Sequence, residues 1–284
     1  MDSKKNILIP VDFSEESLVA IDYAKLIAPM FMAKIHLIHV MEGKNPILKF
    51  MNDSDRPKIE KKIEEKLENI VETIAFDGVT EASFSIEKGN LIDAFLKKRK
   101  LLDAKMIIIG TTGSKDIKRK IIGSNALRII REAQCPVITI KSKNTFSKIG
   151  NIILPLDTSK VTKQKVEHAT LFAKYFNAAV HLVSVETGDN FIESDTAIQQ
   201  LEETSEYFEN ENVSCSIKLL KSPASNSKIA KAILEYAKEM EADIIMIMTR
   251  QESKSEQFYV GSLAKEIIHK ANIPVYSVGP KKEF

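Results

Sequence analysis

The segment NILIPVDFS (Asn6–Ser14) decides the fold, because the chain repeats it as NIILPLDTS (Asn151–Ser159). In each copy a short, almost wholly apolar run ends just before an aspartate. Such a run is typical of a parallel strand that is buried on both faces. In the first copy Ser14 can cap a helix whose first turn carries Glu15 and Glu16, the charges favoured at that end. Each copy therefore predicts a strand that leads directly into a helix.

Three later blocks recur in the same order, which predicts a duplicated domain. They are AKIHLIHV (Ala33–Val40) with AAVHLVSV (Ala178–Val185), DAKMIIIG (Asp103–Gly110) with EADIIMIM (Glu241–Met248), and GSNALRIIREAQCPVITI (Gly123–Ile140) with GSLAKEIIHKANIPVYSV (Gly261–Val278). A period of roughly 140 residues is too long for a solenoid repeat, so each copy should have its own core. With the polar stretch 141–148 as the linker, we predict one domain over 1–142 and a second over 149–284.

Within the first copy, strand and helix patterns alternate. Apolar runs predict strands and helical spacing predicts the intervening helices, of which the segment from about Arg56 to Phe76 is clearly amphipathic. The strands are Ile7–Val11, Ile35–Val40, Ala82–Glu87, Met106–Ile109 and Pro136–Ile140, and the other helices follow Ser14 or cover Leu91–Lys98 and Gly123–Ala133. This alternation predicts an α/β fold of two tandem doubly wound domains with parallel sheets.

Ligands bind such sheets beyond the carboxyl ends of the strands, where the strand order reverses. Asp12 follows the first strand, and the fourth strand leads into a G-x2-G-x9-G-S pattern of Gly110, Gly113, Gly123 and Ser124. Gly110 would let a ribose or phosphate approach the backbone, and Gly113 can take a positive φ that turns amides inward. Gly123 and Ser124 begin a helix, whose free amides and dipole favour an anion. The pattern indicates a phosphate site.

The loop between the glycines supports this interpretation through its charge. It carries Lys115, Lys118, Arg119 and Lys120 against Asp116, a surplus of three positive charges that would attract a polyphosphate. Each residue also has an ordinary structural explanation, as a turn glycine, a helix-terminal glycine, a solvated lysine or an aspartate that caps a helix. The combination at several strand ends is what favours a ligand site.

These residues carry a family resemblance. ILIPVDFSEESLVAIDYA, IIIGTTGS and the G-x2-G-x9-G-S spacing resemble a universal stress protein domain of the ATP-binding type, and the resemblance covers the chain as two copies. It implies five-stranded parallel sheets with helices on both faces. It also implies a fused pseudo-dimer that pairs through its last strands, and a bound adenine nucleotide. The sequence leaves open whether this is ATP, ADP or AMP and whether Mg²⁺ accompanies the phosphates, although a triphosphate normally brings one. The implied site is Pro10, Val11, Asp12, Val40, Gly110, Thr112, Gly113, Gly123, Ser124 and Asn125.

The second copy departs from this pattern. Asp157, Gly261 and Ser262 match their counterparts, but Met248 and Gln251 stand where the first copy has Gly110 and Gly113. Side chains there would crowd the phosphate path, and the loop 252–260 carries a net charge of −1. We therefore predict a degenerate second site that is empty or takes another ligand.

Other features exclude classes of function. The net charge of +2 does not indicate binding to nucleic acid or to an anionic membrane. No apolar run approaches the roughly 18–20 residues of a membrane span. With two cysteines and no recognisable signal peptide, a cytoplasmic protein is expected. Walker, dinucleotide-binding and hydrolase-elbow motifs are missing. His36 and His39 should face opposite sides of one strand, so no metal site is expected.

Three functions remain open. The first is a nucleotide-responsive binding protein in stress tolerance, acting through protein partners whose identity is open. The second is slow ATP hydrolysis, although no residue is an evident general base. The third is an interaction scaffold that uses no nucleotide. The sequence also leaves open whether the fused pair forms a further homodimer.

Overall fold

The computed structural model of the chain describes residues 5–42, 56–76, 78, 80–111, 123–141, 148–156, 162–187, 191–249 and 260–279. Strands and helices alternate in both halves. The N-terminal half contains β1 (Asn6–Pro10), α1 (Glu15–Ile27), β2 (Lys34–Met41), α2 (Arg56–Ala75), β3 (Ala82–Lys88), α3 (Leu91–Leu101), β4 (Met106–Gly110), α4 (Ser124–Glu132) and β5 (Val137–Ile140). The C-terminal half contains β6 (Asn151–Pro155), α5 (Thr162–Phe176), β7 (Ala179–Glu186), α6 (Phe191–Asn210), β8 (Cys215–Lys221), α7 (Asn226–Glu239), β9 (Ile244–Met248), α8 (Ser262–Lys270) and β10 (Val275–Val278). The predicted elements are confirmed to within a few residues.

The strands form one ten-stranded sheet in the order β3-β2-β1-β4-β5-β10-β9-β6-β7-β8. Neighbouring strands are parallel within each half, whereas β5 and β10 pair antiparallel, with Ile138 opposite Tyr276. Each half is therefore a doubly wound five-stranded parallel sheet, and the two last strands join the halves as the resemblance implied.

Helices cover both faces of this sheet. We call α1, α2, α5 and α6 the front layer and α3, α4, α7 and α8 the back layer. Each layer buries one apolar core that runs through both halves. In the front core the rings of Phe31 and Phe172 lie 6.1 Å apart, and those of Phe172 and Tyr276 lie 5.2 Å apart. Aromatic packing thus ties the halves together where their last strands pair.

Two buried histidines, His36 and His181, stand at matching positions of the repeat and have structural roles. His36 on β2 hydrogen-bonds through its two ring nitrogens to Ser83 and Ser85 of β3, at 2.8 and 3.0 Å. His181 on β7 makes a similar bond to Ser216, at 2.7 Å. Burial, followed by the nearby positive charge of Lys98, lowers the pKa of His36 from 6.5 to about 4. The ring is therefore neutral at physiological pH and links the outer strands.

Candidate functional site

The ladder between β1 and β4 ends before the strands do; we call the space beyond it the first crevice, and the corresponding space between β6 and β9 the second crevice. Their register covers only Ile7 opposite Met106 and Leu8 opposite Ile107, although β1 continues to Pro10 and β4 to Gly110. β2 and β4 flank β1 on opposite sides, so the strand order reverses here. This is the position at which open parallel sheets bind ligands.

The backbone at the end of β1 presents a carbonyl to this crevice. The Val11 amide donates to the carbonyl of Ile38, which places the polar groups of Val11 on the β2 side. Because polar groups of successive strand residues point to opposite sides, the carbonyl of Pro10 faces β4. Pro10 and Val40, both half-buried, lie at neighbouring strand ends, and their role in a base pocket stays a prediction.

Asp12 is exposed and supports the turn that starts α1. Its Oδ1 accepts a hydrogen bond from the Ser14 amide at 3.0 Å and another from the Ser14 hydroxyl. Ser14 in turn is the N-cap of α1, since its Oγ accepts from the Ser17 amide at 3.3 Å. One carboxylate oxygen of Asp12 therefore stabilises the cap residue, while the side chain stays at the mouth of the crevice.

A cluster that the sequence did not reveal holds this turn in place. Phe13 has a φ of 62°, in the left-handed region that is uncommon for a bulky residue. Its ring lies 5.2 Å from the His39 ring, and the Lys66 ammonium lies 5.2 Å from its centroid. His39 donates through Nδ1 to the carbonyl of Val11 at 2.7 Å. His39 thus lies on the front face and His36 on the back face, which confirms the predicted opposition.

Gly110 has a structural role that differs from the one its position suggested. A Cβ built at Gly110 would lie 2.9 Å from the Cβ of Glu16, 3.0 Å from its carbonyl carbon and 3.2 Å from its carbonyl oxygen. The first turn of α1 therefore packs directly on the end of β4. A close approach by a ligand at this glycine stays a prediction.

Thr111 links the end of β4 to the start of α4. It is buried, and its amide and hydroxyl both donate to the carbonyl of Ile140, at 2.9 and 3.3 Å. Its own carbonyl accepts from the Gly123 amide at 3.0 Å. The helix start is therefore fixed beside the crevice.

The first turn of α4 lacks a side-chain cap. Gly123 is the N-cap residue, with φ −60° and ψ 145°, and no side chain caps the helix among the described residues. The first i→i+4 hydrogen bond runs from the Leu127 amide to the Gly123 carbonyl, at 3.3 Å. Ser124 and Asn125 are exposed at this end. An uncapped N-terminus of this kind favours an anion.

Several predicted site residues cannot be placed. Thr112 and Gly113, the basic loop, and in the second half Asp157 and Gln251 lie outside the described residues. Their roles stay predictions.

The C-terminal half preserves the helix attachment but carries a side chain where the first half has Gly110. Thr249 donates to Val278 and accepts from Gly261, with both amide bonds at 2.8 Å, as Thr111 does in the first half. Gly261 has φ −56° and ψ 151°, and no side chain caps α8 where Ser262 begins it. Met248, however, packs its side chain against the front core. The start of α8 thus repeats the backbone geometry of the start of α4, whereas Met248 stands at the position of Gly110.

The described residues give no support for a Cys135 nucleophile or a metal cluster. Burial raises the pKa of the Cys135 thiol to about 12, which makes it a poor nucleophile. No group of three His, Cys, Asp or Glu side chains is arranged to hold a metal within the described residues. None of the described helices is both long and apolar enough to cross a membrane.

Comparison with known proteins identifies the family of this chain. The model of the Universal stress protein family matches residues 4–141 and again residues 148–279. The chain belongs to the universal stress protein family. The two matches make it a tandem member.

Individual relatives support the family, and solved structures support the fold. A universal stress protein from Methanocaldococcus jannaschii is 31% identical over 150 residues, covering 48% of this chain and 82% of that protein. The crystal structure of a universal stress protein from Archaeoglobus fulgidus superposes with a TM-score of 0.77 at 20% identity, over 98% of this chain and 97% of that one. A functionally unknown protein from Pseudomonas aeruginosa gives 0.69 at 16% identity, over 98% and 93%. At these identities the two structures support the fold alone.

Proposed function

We propose that this universal stress protein binds one adenine nucleotide per chain, in the crevice between β1 and β4, and acts through protein partners in a stress or regulatory role in the cytoplasm. The base and ribose would lie near Pro10, Val11, Asp12 and Val40. The phosphates would lie at the start of α4, with Mg²⁺ accompanying a triphosphate. Adenine-nucleotide binding is common in the family.

One observation carries the proposal: the uncapped N-terminus of α4 is fixed beside a crevice at the point where strand order reverses. The hydrogen bond from the Gly123 amide to the Thr111 carbonyl, at 3.0 Å, holds the start of α4 next to the end of β4. An anion at the helix start would therefore sit next to a pocket lined by strand-end backbone groups, which is the layout that a nucleotide requires.

Calorimetric titration with ATP and Mg²⁺ tests the proposal, after mass spectrometry has excluded nucleotide carried through purification. One site per chain is expected. No binding of ATP, ADP or AMP by either route would refute it and leave an interaction scaffold. Two equal sites would refute the asymmetry between the halves.

The two halves offer a matched pair of variants for locating the site. A Cβ at Gly123 would have the Thr111 carbonyl oxygen as its nearest contact, at 3.7 Å, and a Cβ at Gly261 would meet the Thr249 oxygen at 3.6 Å. Both backbones are extended with negative φ, so both Ala variants should fold. Gly123→Ala should weaken ATP binding about tenfold or more, about 1.4 kcal/mol, by crowding the phosphates, while Gly261→Ala should leave affinity unchanged.

Steady-state phosphate release separates binding from hydrolysis. We expect turnover at or near background, since none of the described groups at the crevice is a general base that faces the phosphate end. Release that is abolished by Gly123→Ala but not by Gly261→Ala would instead establish a slow hydrolase at this site.

A further inference from the structure

A buried lysine stands at the ligand end of the C-terminal half. Lys165, in the first turns of α5, has only 3% of its surface exposed. Its ammonium donates to the carbonyl of Pro155, the last residue of β6. Burying an ammonium is costly unless it is paired, so a lysine at this position is held by specific contacts.

The carbonyl that Lys165 engages faces the second crevice. β6 and β9 are in register only at Ile152 opposite Ile244 and Ile153 opposite Ile245, so they part as β1 and β4 do. The Leu156 amide donates to Val183 on β7, which leaves the Pro155 carbonyl on the β9 side. The ammonium of Lys165 therefore reaches the C-terminal counterpart of the candidate nucleotide site.

The N-terminal half has no lysine at the aligned position. The ungapped repeat aligns Pro155 with Pro10 and Lys165 with Ala20, which is fully buried. Ala20 has no side-chain atoms beyond Cβ, so it cannot donate to the Pro10 carbonyl as Lys165 does to that of Pro155. Met248, which packs against the front core, places a side chain where Gly110 stands in the first half.

We propose that Lys165 closes the second crevice: its side chain, together with Met248, occupies the space and the strand-end carbonyl that a nucleotide uses in the first half. The positive charge would not repel phosphates, so closure is by volume and by capture of the Pro155 carbonyl. Lys165 is then the residue that limits the chain to one nucleotide. This inference rests on the proposed function of the first crevice.

Equilibrium dialysis with millimolar ATP and Mg²⁺ tests the closure. Lys165→Ala combined with Met248→Ala should raise the stoichiometry from one to two nucleotides per chain. Lys165→Met combined with Met248→Ala keeps the volume without the ammonium and should stay at one. A folded Ala double variant that still binds one nucleotide, or a Met control that binds two, would overturn the proposal. A wild-type protein that binds none would refute the proposed function instead.

Amine acetylation with peptide mapping tests the position of Lys165 without any nucleotide. Lys163, two residues earlier on the same helix, is exposed and serves as the internal control. In the folded wild-type chain Lys163 should be modified at least tenfold faster than Lys165, and the difference should vanish in urea. Equal rates in the folded chain would overturn the proposal whatever the dialysis shows.

Discussion

Replacement of Gly110 by alanine tests the packing of α1 on β4. The added Cβ would lie 2.9 Å from the Cβ of Glu16 and 3.0 Å from its carbonyl carbon. Carbon atoms pack best at about 3.5–4.0 Å, so the first turn of α1 must move by about half an ångström or more. A change of side-chain rotamer cannot relieve the contact, because the crowded atoms are the Cβ and backbone of Glu16.

The expected change in the free energy of unfolding follows from two opposing effects. Overpacking of this kind costs about 1–3 kcal/mol, whereas the loss of glycine freedom in the unfolded chain returns about 0.4–1 kcal/mol. Gly110→Ala should therefore lower the free energy of unfolding by about 1–2 kcal/mol. Gly123→Ala is the control, because its Cβ meets nothing nearer than 3.7 Å and its backbone is already extended. That variant should be neutral or slightly stabilised.

Urea unfolding followed by circular dichroism measures both variants against the wild-type protein. The Gly110→Ala midpoint should fall clearly below that of Gly123→Ala. If the two variants unfold at the same urea concentration, then α1 does not press on β4 as described, and the structural explanation of Gly110 is wrong.

Three further predictions concern single side chains. Asp12→Asn keeps an oxygen for the cap of α1 but loses the charge, so ATP affinity measured by calorimetry should fall several-fold while the melting temperature hardly changes; an unchanged affinity would remove Asp12 from the site. Because His36 is buried in its neutral form, its contribution to the free energy of unfolding should be complete above pH 6.5 and should be lost as the pH falls toward its folded pKa of about 4. His36→Gln should flatten this pH dependence, measured by urea titration at several pH values. Tyr276→Phe removes a hydrogen bond of 2.8 Å from the buried Tyr276 hydroxyl to Nδ1 of the half-buried His168 and should cost about 1–2 kcal/mol in the same assay, whereas Tyr175→Phe on the exposed surface of α5 should cost nothing measurable.

Local pattern was enough to predict most of the architecture. Apolar runs of five or so residues ending at Asp12 and at Gly110 predicted buried parallel strands, and the helical spacing over Arg56–Phe76 predicted α2 almost to its ends. The repeated blocks predicted two copies of one fold. These features can be predicted because the periods of strands and helices set the spacing of apolar side chains among neighbouring residues.

The candidate site was predictable only as a set of positions. The glycine spacing and the aspartate after β1 pointed to the carboxyl ends of the strands, and the structure places Asp12 and Gly110 at the parting strands and Gly123 at an adjacent helix start. The contact of Gly110 with Glu16, however, joins residues far apart in the chain. The left-handed Phe13 depends on support from His39, which no local propensity predicts.

The sequence by itself thus determined the two doubly wound halves, their order of strands and helices, and the strand ends at which a ligand would bind. Only the tertiary structure decided that β5 and β10 join the halves into one sheet, that α1 presses on β4, and that the ammonium of Lys165 donates to the carbonyl of Pro155. The physical reason is the distance along the chain over which each interaction acts. Periodicity and capping act between neighbours in the chain, whereas close packing and the pairing of a buried charge depend on which distant atoms the completed fold brings together.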